Sequence, residues 1–216
     1  MNKNISIAEA VSKVKDGMTV MVGGFLSNGT ANEIIDALAK SDVKNLTVIC
    51  NDTSFPDKGV GKLFEHKQIK KIITSYIGAN ALTQQQMNEN TLEVELVPQG
   101  TLAERIRAGG CGLGGILTPT GIGTIIAEGK QIINVDGKDY LLEKSIHADI
   151  AIIGASKGDK SGNLIYYGTS QNFNPIMATA ADLVIAEIDE LVEIGTIPME
   201  NVHTPAIFVD YIVSNK

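Results

Sequence analysis

Short β-branched and apolar runs, each emptying into glycine or small polar residues and then into a helical pattern, limit the fold of this chain more than any other feature. Residues 18–22 lead into Gly23-Gly24, residues 46–50 into Asn51-Asp52-Thr53, and residues 69–76 towards Gly78. Apolar runs of this kind fit strands buried on both faces, and strands alternating with helices need crossover connections. The pattern returns at 149–155 and 183–187, and 207–213 closes the sheet. The expected fold is α/β: a mostly parallel open sheet flanked by helices, with antiparallel hairpin insertions and its loops gathered at one edge.

Capping patterns set the expected helix starts. Ser6 with Glu9 opens a helix that keeps Ile7, Val11 and Val14 on one face until about Asp16, where Gly17 stops it. Thr30 with Glu33 repeats the box ahead of Ile34, Ile35, Leu38 and Ala39, and Thr101 with Glu104 ahead of Leu102, Ile106 and Ala108. Residues 62–64 make a weak helical patch, 82–88 a short helix, 91–97 a fourth strand, and 175–181 a later helix. Asp136-Gly137 between two β-type runs is a type I′ hairpin signature, and a second hairpin is expected around Gly162. The glycine-dense stretch 109–123 reads as a flexible functional loop.

At 216 residues with no linker-like stretch, residues 1–216 are expected to form one domain. A net charge of −7 argues against non-specific nucleic-acid binding, so a phosphate-bearing ligand would need local donors. No apolar segment resembles a signal peptide or a membrane span, which points to the cytosol. Cys50 and Cys111 follow no paired or metal-type spacing and are expected as reduced thiols.

The junction after residue 22 is the natural ligand site. Adjacent glycines let a ligand approach the backbone, and free amides at the next helix start attract anions. Gly110, Gly112 and Gly115 match a dinucleotide-binding spacing but follow a helix instead of a strand, so a nicotinamide site is not expected. His66, His147 and His203 are scattered, which disfavours a catalytic triad and a protein-built metal site; His147 reads as a boundary residue and His203 as a loop donor. Among carboxylates, Glu104, Glu187 and Glu190 are candidate nucleophiles, but a capping role for Glu104 and a solvated edge for the other two are the better readings. The chain therefore holds ligand-binding loops without an evident reactive residue.

Several blocks resemble the family I CoA-transferases, which act on short-chain and 3-oxo acids. They are Asp16-Gly17-Met18-Thr19-Val20-Met21-Val22-Gly23-Gly24-Phe25 with Gly29, Asn51-Asp52-Thr53, the run from Pro98 to Gly110, Leu117-Thr118-Pro119-Thr120-Gly121, and Asn172-Phe173-Asn174-Pro175. The similarity covers essentially the whole chain. Its length and motif order look most like an alpha subunit of the acetate/butyrate–acetoacetate type.

The resemblance implies a ping-pong reaction on a glutamate that belongs to a beta subunit, within a Glu-Asn-Gly motif. Glu89-Asn90-Thr91 and Glu200-Asn201-Val202 are not that motif. It further implies an α2β2 assembly, coenzyme A as substrate and no resident cofactor or metal. Gly23, Gly24, Phe25, Leu26, Ser27, Asn28 and Gly29 would contribute to the CoA site. Asn51 and Gln99 would face the partner's glutamate and the acyl carboxylate or thioester oxygen. Alternatives are the corresponding subunit of a 3-oxoacid (succinyl-CoA) CoA-transferase, a sugar-phosphate isomerase-like enzyme, and a non-catalytic CoA-binding module. Two positions depart from the family pattern: Ala31 stands where a proline usually follows Gly-x, and Gln171 where an arginine is frequent.

Overall fold

The computed structural model describes residues 3–214. Its first half alternates as expected. Helix α1 (Ile7–Ser12) precedes β1 (Thr19–Val22), α2 (Asn32–Ala39) and β2 (Leu46–Asp52). Then come α3 (Lys62–Glu65), β3 (Ile69–Tyr76), α4 (Ala81–Asn88), β4 (Glu93–Leu96) and α5 (Gln99–Gly110). The second half contains β5 (Gly115–Thr118), β6 (Ile132–Val135), β7 (Lys138–Lys144), β8 (Ala148–Asp159), β9 (Leu164–Ile165), α6 (Asn174–Met177), β10 (Ala181–Val192) and β11 (Tyr211–Val213).

The main sheet runs β11-β10-β8-β1-β2-β3-β4, every neighbouring pair in that order being parallel, with β9 turning back against β8 as the hairpin around Gly162. Alternation along each strand divides the core into two layers. Val20, Val22, Val48, Cys50, Ile72, Ile150 and Ile152 pack with Ala10, Ile34, Ile35, Leu38 and Phe64 from α1, α2 and α3. Met21, Ile49, Ile73, Ala151 and Ile153 pack on the opposite face with Leu102, Ile106 and Met177 from α5 and α6. Each fully buried Leu or Ile stabilises this sandwich by roughly 1.5–3 kcal/mol, which is why continuous apolar runs end up central.

Several boundaries differ from expectation. Helix α1 stops at Ser12, although its capping box forms and Val14 remains buried. The boxes at Thr30/Glu33 and Thr101/Glu104 do not form: Ala31 caps α2 and Pro98 caps α5, neither through a side chain. The glycine-dense stretch is not one flexible loop. Gly109 and Gly110 close α5, where a Cβ would lie 1.9 Å from Ile146 O and 2.2 Å from Thr179 Oγ1, so these glycines allow close packing. Gly115 opens β5, which joins the β6–β7 hairpin in a separate three-stranded antiparallel sheet ordered β5-β7-β6. The hairpin turn has Asp136 at φ 51° and Gly137 at φ 80°, the positive values a type I′ turn requires. That sheet docks on α5 through Arg105, whose Nε donates to Lys144 O at 2.8 Å. Near the end of the chain, Ala206–Phe208 forms a 3-10 turn and only Tyr211–Val213 is strand.

Candidate active site

The carboxyl ends of β1, β2 and β3 and the start of α5 meet at one edge of the sheet, and the residues singled out from the sequence collect there. Phe25 N donates to Asn28 O at 3.0 Å and Asn28 N to Phe25 O at 2.9 Å, which closes Leu26-Ser27 into a two-residue turn. Both turn residues have positive φ, 45° at Leu26 and 72° at Ser27, values that side chains other than glycine rarely adopt. The turn survives because it is clamped. Asp52 Oδ2 accepts Leu26 N at 3.1 Å, the hydroxyls of Ser27 and Ser54 are hydrogen-bonded, and Asn172 Nδ2 donates to Asn28 O at 3.0 Å.

Two asparagines whose role is not evident from the sequence complete the clamp. Asn172 Oδ1 accepts Gly24 N at 3.1 Å, while Asn174 Nδ2 donates to Gly29 O at 2.9 Å and Ser170 O at 2.8 Å. Asn174 Oδ1 accepts Gly154 N at 3.2 Å, so one fully buried amide joins the glycine turn to β8. Their signal in the sequence is the Asn-Phe-Asn-Pro run itself, because Asn tolerates left-handed backbone such as the φ of 24° at Asn172. The cavity enclosed under the turn, bounded by Gly23, Gly24, Thr30 and Asp52, is about 10 Å³, room for at most one water. The accessible face of the turn is its outer side, where Phe25 and Asn28 are exposed.

Asn51 and Gln99 are brought together. Asn51, the penultimate residue of β2, is 1 % exposed, and Gln99 Nε2 donates to its Oδ1 at 2.7 Å from the first turn of α5. The Asn51 carbonyl accepts from Ser75 Oγ at 2.6 Å and Thr74 Oγ1 at 3.1 Å, which locks β2 to β3 at this point. Asn51 Nδ2 donates to Asp52 Oδ2 at 2.7 Å. Neighbouring Cys50 is buried; desolvation first, and the Asp52 charge second, push its thiol far up, so it stays a neutral core residue.

The other candidates are engaged elsewhere. Glu104 pairs with Arg107 at 3.1 Å and Glu190 with Lys157 at 2.7 Å. Glu187 overturns two expectations, because it is not a solvated edge and it occupies the helix-start amides expected to be free. From β10 it accepts Ile34 N at 2.9 Å and Glu33 N at 3.2 Å, occupying the start of α2 with an internal carboxylate. Those amides are thus taken and do not form the anion site expected after the glycine turn. Burial raises the Glu187 carboxyl above its ordinary range, with the Ile34 and Glu33 amides acting against that shift. His203 accepts Tyr166 N at its Nδ1, 3.1 Å away, the reverse of the donor role expected. His147 and His66 are exposed, and no group of three metal-ligating side chains occurs among the described residues. Ala31 has φ −71°, a value proline would also hold, so the missing proline leaves the backbone path unchanged. Gln171 is exposed.

The class of architecture these elements define is a mostly parallel sheet with a clamped turn and a hydrogen-bonded amide pair at its carboxyl edge. Comparison with known proteins gives that class its family. The coenzyme A transferase family model matches residues 4–215, and this chain belongs to that family. It is 51 % identical over 212 residues to the acetoacetyl-CoA:acetate/butyrate CoA transferase alpha subunit of Clostridium acetobutylicum, covering 98 % of this chain and 97 % of the relative. It is 46 % identical over 217 residues to the corresponding subunit of the succinyl-CoA:3-ketoacid coenzyme A transferase of Helicobacter pylori strain J99, covering 100 % and 94 %. Among solved structures it superposes on an acyl-CoA transferase of Escherichia coli O157:H7 in a thioester complex with CoA, with a TM-score of 0.89 and 24 % identity. That match covers 99 % of this chain and 47 % of the other, so this chain spans about half the length of that one and the likeness concerns the fold. The chain is a CoA-transferase subunit of the alpha type. No helix among the described residues is long and apolar enough to cross a membrane.

Proposed function

We propose that this chain is the alpha subunit of a short-chain acyl-CoA:carboxylate CoA-transferase that works with a beta subunit in an α2β2 assembly in the cytosol. The observation that carries the reading is the Asn51–Gln99 amide pair, joined at 2.7 Å beside the clamped turn. A beta-subunit glutamate carboxylate attacks the thioester carbonyl, the C–S bond breaks, and CoA leaves as thiolate, giving an acyl-glutamyl anhydride. The thiolate then attacks the glutamyl carbonyl and releases the first acid as carboxylate, and the acceptor carboxylate reverses both steps.

No proton need be transferred in this sequence; negative charge only moves between carbonyl oxygens, carboxylates and thiolate. Neutral amide donors are sufficient for such chemistry, since they stabilise the oxyanions without themselves ionising. Gly23 to Gly29 would hold the CoA side of the thioester against the outer face of the turn. Binding energy from the rest of CoA would then be used at the reacting carbon. The acid pair is acetate or butyrate with acetoacetate on this reading. Relatives named for succinyl-CoA and 3-ketoacids make succinyl-CoA the competing donor to compare.

The test is native co-purification followed by an exchange assay with acetyl-CoA and acetoacetate. A co-purifying chain with Glu-Asn-Gly, activity of the complex, and none from the isolated chain are expected. Asn51→Ala and Gln99→Ala should each lower turnover by about 10²-fold while the complex stays assembled. Exchange by the isolated chain, or unchanged turnover in both variants, refutes the division of labour or the amide role respectively.

A further inference from the structure

We infer that Asp52 is a positioning residue that sets the polarity of the Asn51–Gln99 pair; this rests on the role given to those amides above. An ionised carboxylate can only accept hydrogen bonds. The edge of Asn51 turned towards Asp52 Oδ2, 2.7 Å away, is therefore its Nδ2 edge. Asn51 then has only Oδ1 to offer Gln99, and Gln99 answers with Nε2 at 2.7 Å. One charge thus decides the orientation of two amides in series and leaves the second N–H of Gln99 Nε2 for a ligand oxygen.

The same carboxylate governs the turn. Oδ2 also accepts Leu26 N at 3.1 Å, and Oδ1 accepts Ser54 N at 2.8 Å. Asp52 is 6 % exposed, so this site pairs a buried charge with three N–H donors. The turn proposed to hold CoA and the amide pair proposed to face the acyl oxygen are consequently both bonded to one oxygen atom.

Asp52→Asn keeps the shape and removes the charge. Its new Nδ2 must face either Ser54 N or the Leu26 and Asn51 side. The Leu26 contact is the longer and less buried of the two backbone bonds, and it yields first. Asn51 then turns its Oδ1 to residue 52 and its Nδ2 to Gln99, and Gln99 turns over in response. The donor needed at the acyl oxygen is displaced while the fold is kept.

The experiment uses the native two-subunit complex with acetyl-CoA and acetoacetate, comparing wild type, Asp52→Asn, Gln99→Ala and the double variant. Asp52→Asn is expected to lower kcat by roughly 10- to 100-fold with KM for acetyl-CoA within about twofold, and to add nothing in the Gln99→Ala background. Additive losses, or a raised KM with unchanged kcat, overturn the inference in favour of a structural role. Neutron diffraction of the wild-type complex reads the amides directly, whatever the variants do. Deuterons on Asn51 Nδ2 towards Asp52 and on Gln99 Nε2 towards Asn51 are expected, and the reversed pair overturns the inference. Unchanged kcat in Gln99→Ala instead removes the amide role on which both readings stand.

Discussion

Gly23→Ala adds one methyl group at the carboxyl end of β1, and a Cβ there would lie 1.7 Å from Asn174 Oδ1 and 2.7 Å from its Cγ. Gly23 is not among the positive-φ glycines, so the cost is one of space and not of backbone strain. Asn174 is fully buried and bonded to Gly154 N, Gly29 O and Ser170 O, so it cannot give way without losing some of these bonds. Overpacking a core site costs about 1–3 kcal/mol and each displaced hydrogen bond about 1 kcal/mol, which together give about 3 kcal/mol. For a chain of this length the melting temperature should fall by about 6–12 °C. Thermal unfolding followed by circular dichroism reads this directly. Asn174→Ala alone should cost about 2–4 kcal/mol by orphaning its three backbone partners. The double variant is the sharper test. With the amide gone the new methyl has room, so Gly23→Ala should add less than about 1 kcal/mol in that background. Additive losses, or an unchanged melting temperature in the single Gly23 variant, would refute the interlock.

Two other expectations concern titratable groups. Glu187 has its carboxyl raised by burial, so the folded chain holds that proton more tightly than the unfolded chain does. Its contribution to stability is full below the ordinary carboxylate range and lost as pH rises through the raised value. The stability of wild type relative to Glu187→Gln, measured by urea unfolding, should therefore be greater near about pH 4 than near about pH 7, and the opposite trend would refute the assignment. Cys50 is buried with its thiol pushed up, whereas Cys111 is exposed. A thiol reagent should modify Cys111 alone in the folded chain and reach Cys50 only in denaturant, as mass spectrometry would show; rapid labelling of Cys50 in the folded chain contradicts the core placement.

The sheet was legible because its strands are written in continuous stretches of sequence. Val20, Val48, Ile72, Ile150 and Ile185 each lie in an apolar run whose length and composition suffice to place it. Helix starts were less legible because a capping pattern is local while the partner that satisfies the amides need not be. Thr30 and Glu33 have the right spacing, yet the carboxylate at the start of α2 comes from Glu187, brought there by the pairing of β10 with β8. Glycine density misled for a related reason: at Gly109 and Gly110 the missing side chain admits neighbouring backbone and Thr179, so the residues confer proximity and not freedom. The turn and the amide pair were legible as positions, through family resemblance. The clamp of Asn172, Asn174 and Asp52 was not, since its hydrogen bonds join segments remote in sequence.

That clamp explains why strained backbone persists at Leu26 and Ser27. A residue other than glycine held at positive φ costs of order 1–3 kcal/mol, so an unsupported Leu-Ser turn would relax. Here Asp52, Asn172 and the Ser54 hydroxyl hold it from three sides, and hydrogen bonds of about 1 kcal/mol each offset the strain. The arrangement suits a reaction in which charge shifts between oxygens and sulfur without a proton following it. Donors in such a site must already point at the developing oxyanion, because reorienting them during the reaction would add to the barrier. On the reading proposed above, Asp52 meets that requirement for the amide pair through Asn51 and at the same time holds the turn, since the Leu26 amide and the Asn51 side chain share its Oδ2. One buried carboxylate thus takes part both in the rigidity at the carboxyl end of β1 and in the polarity at the end of β2.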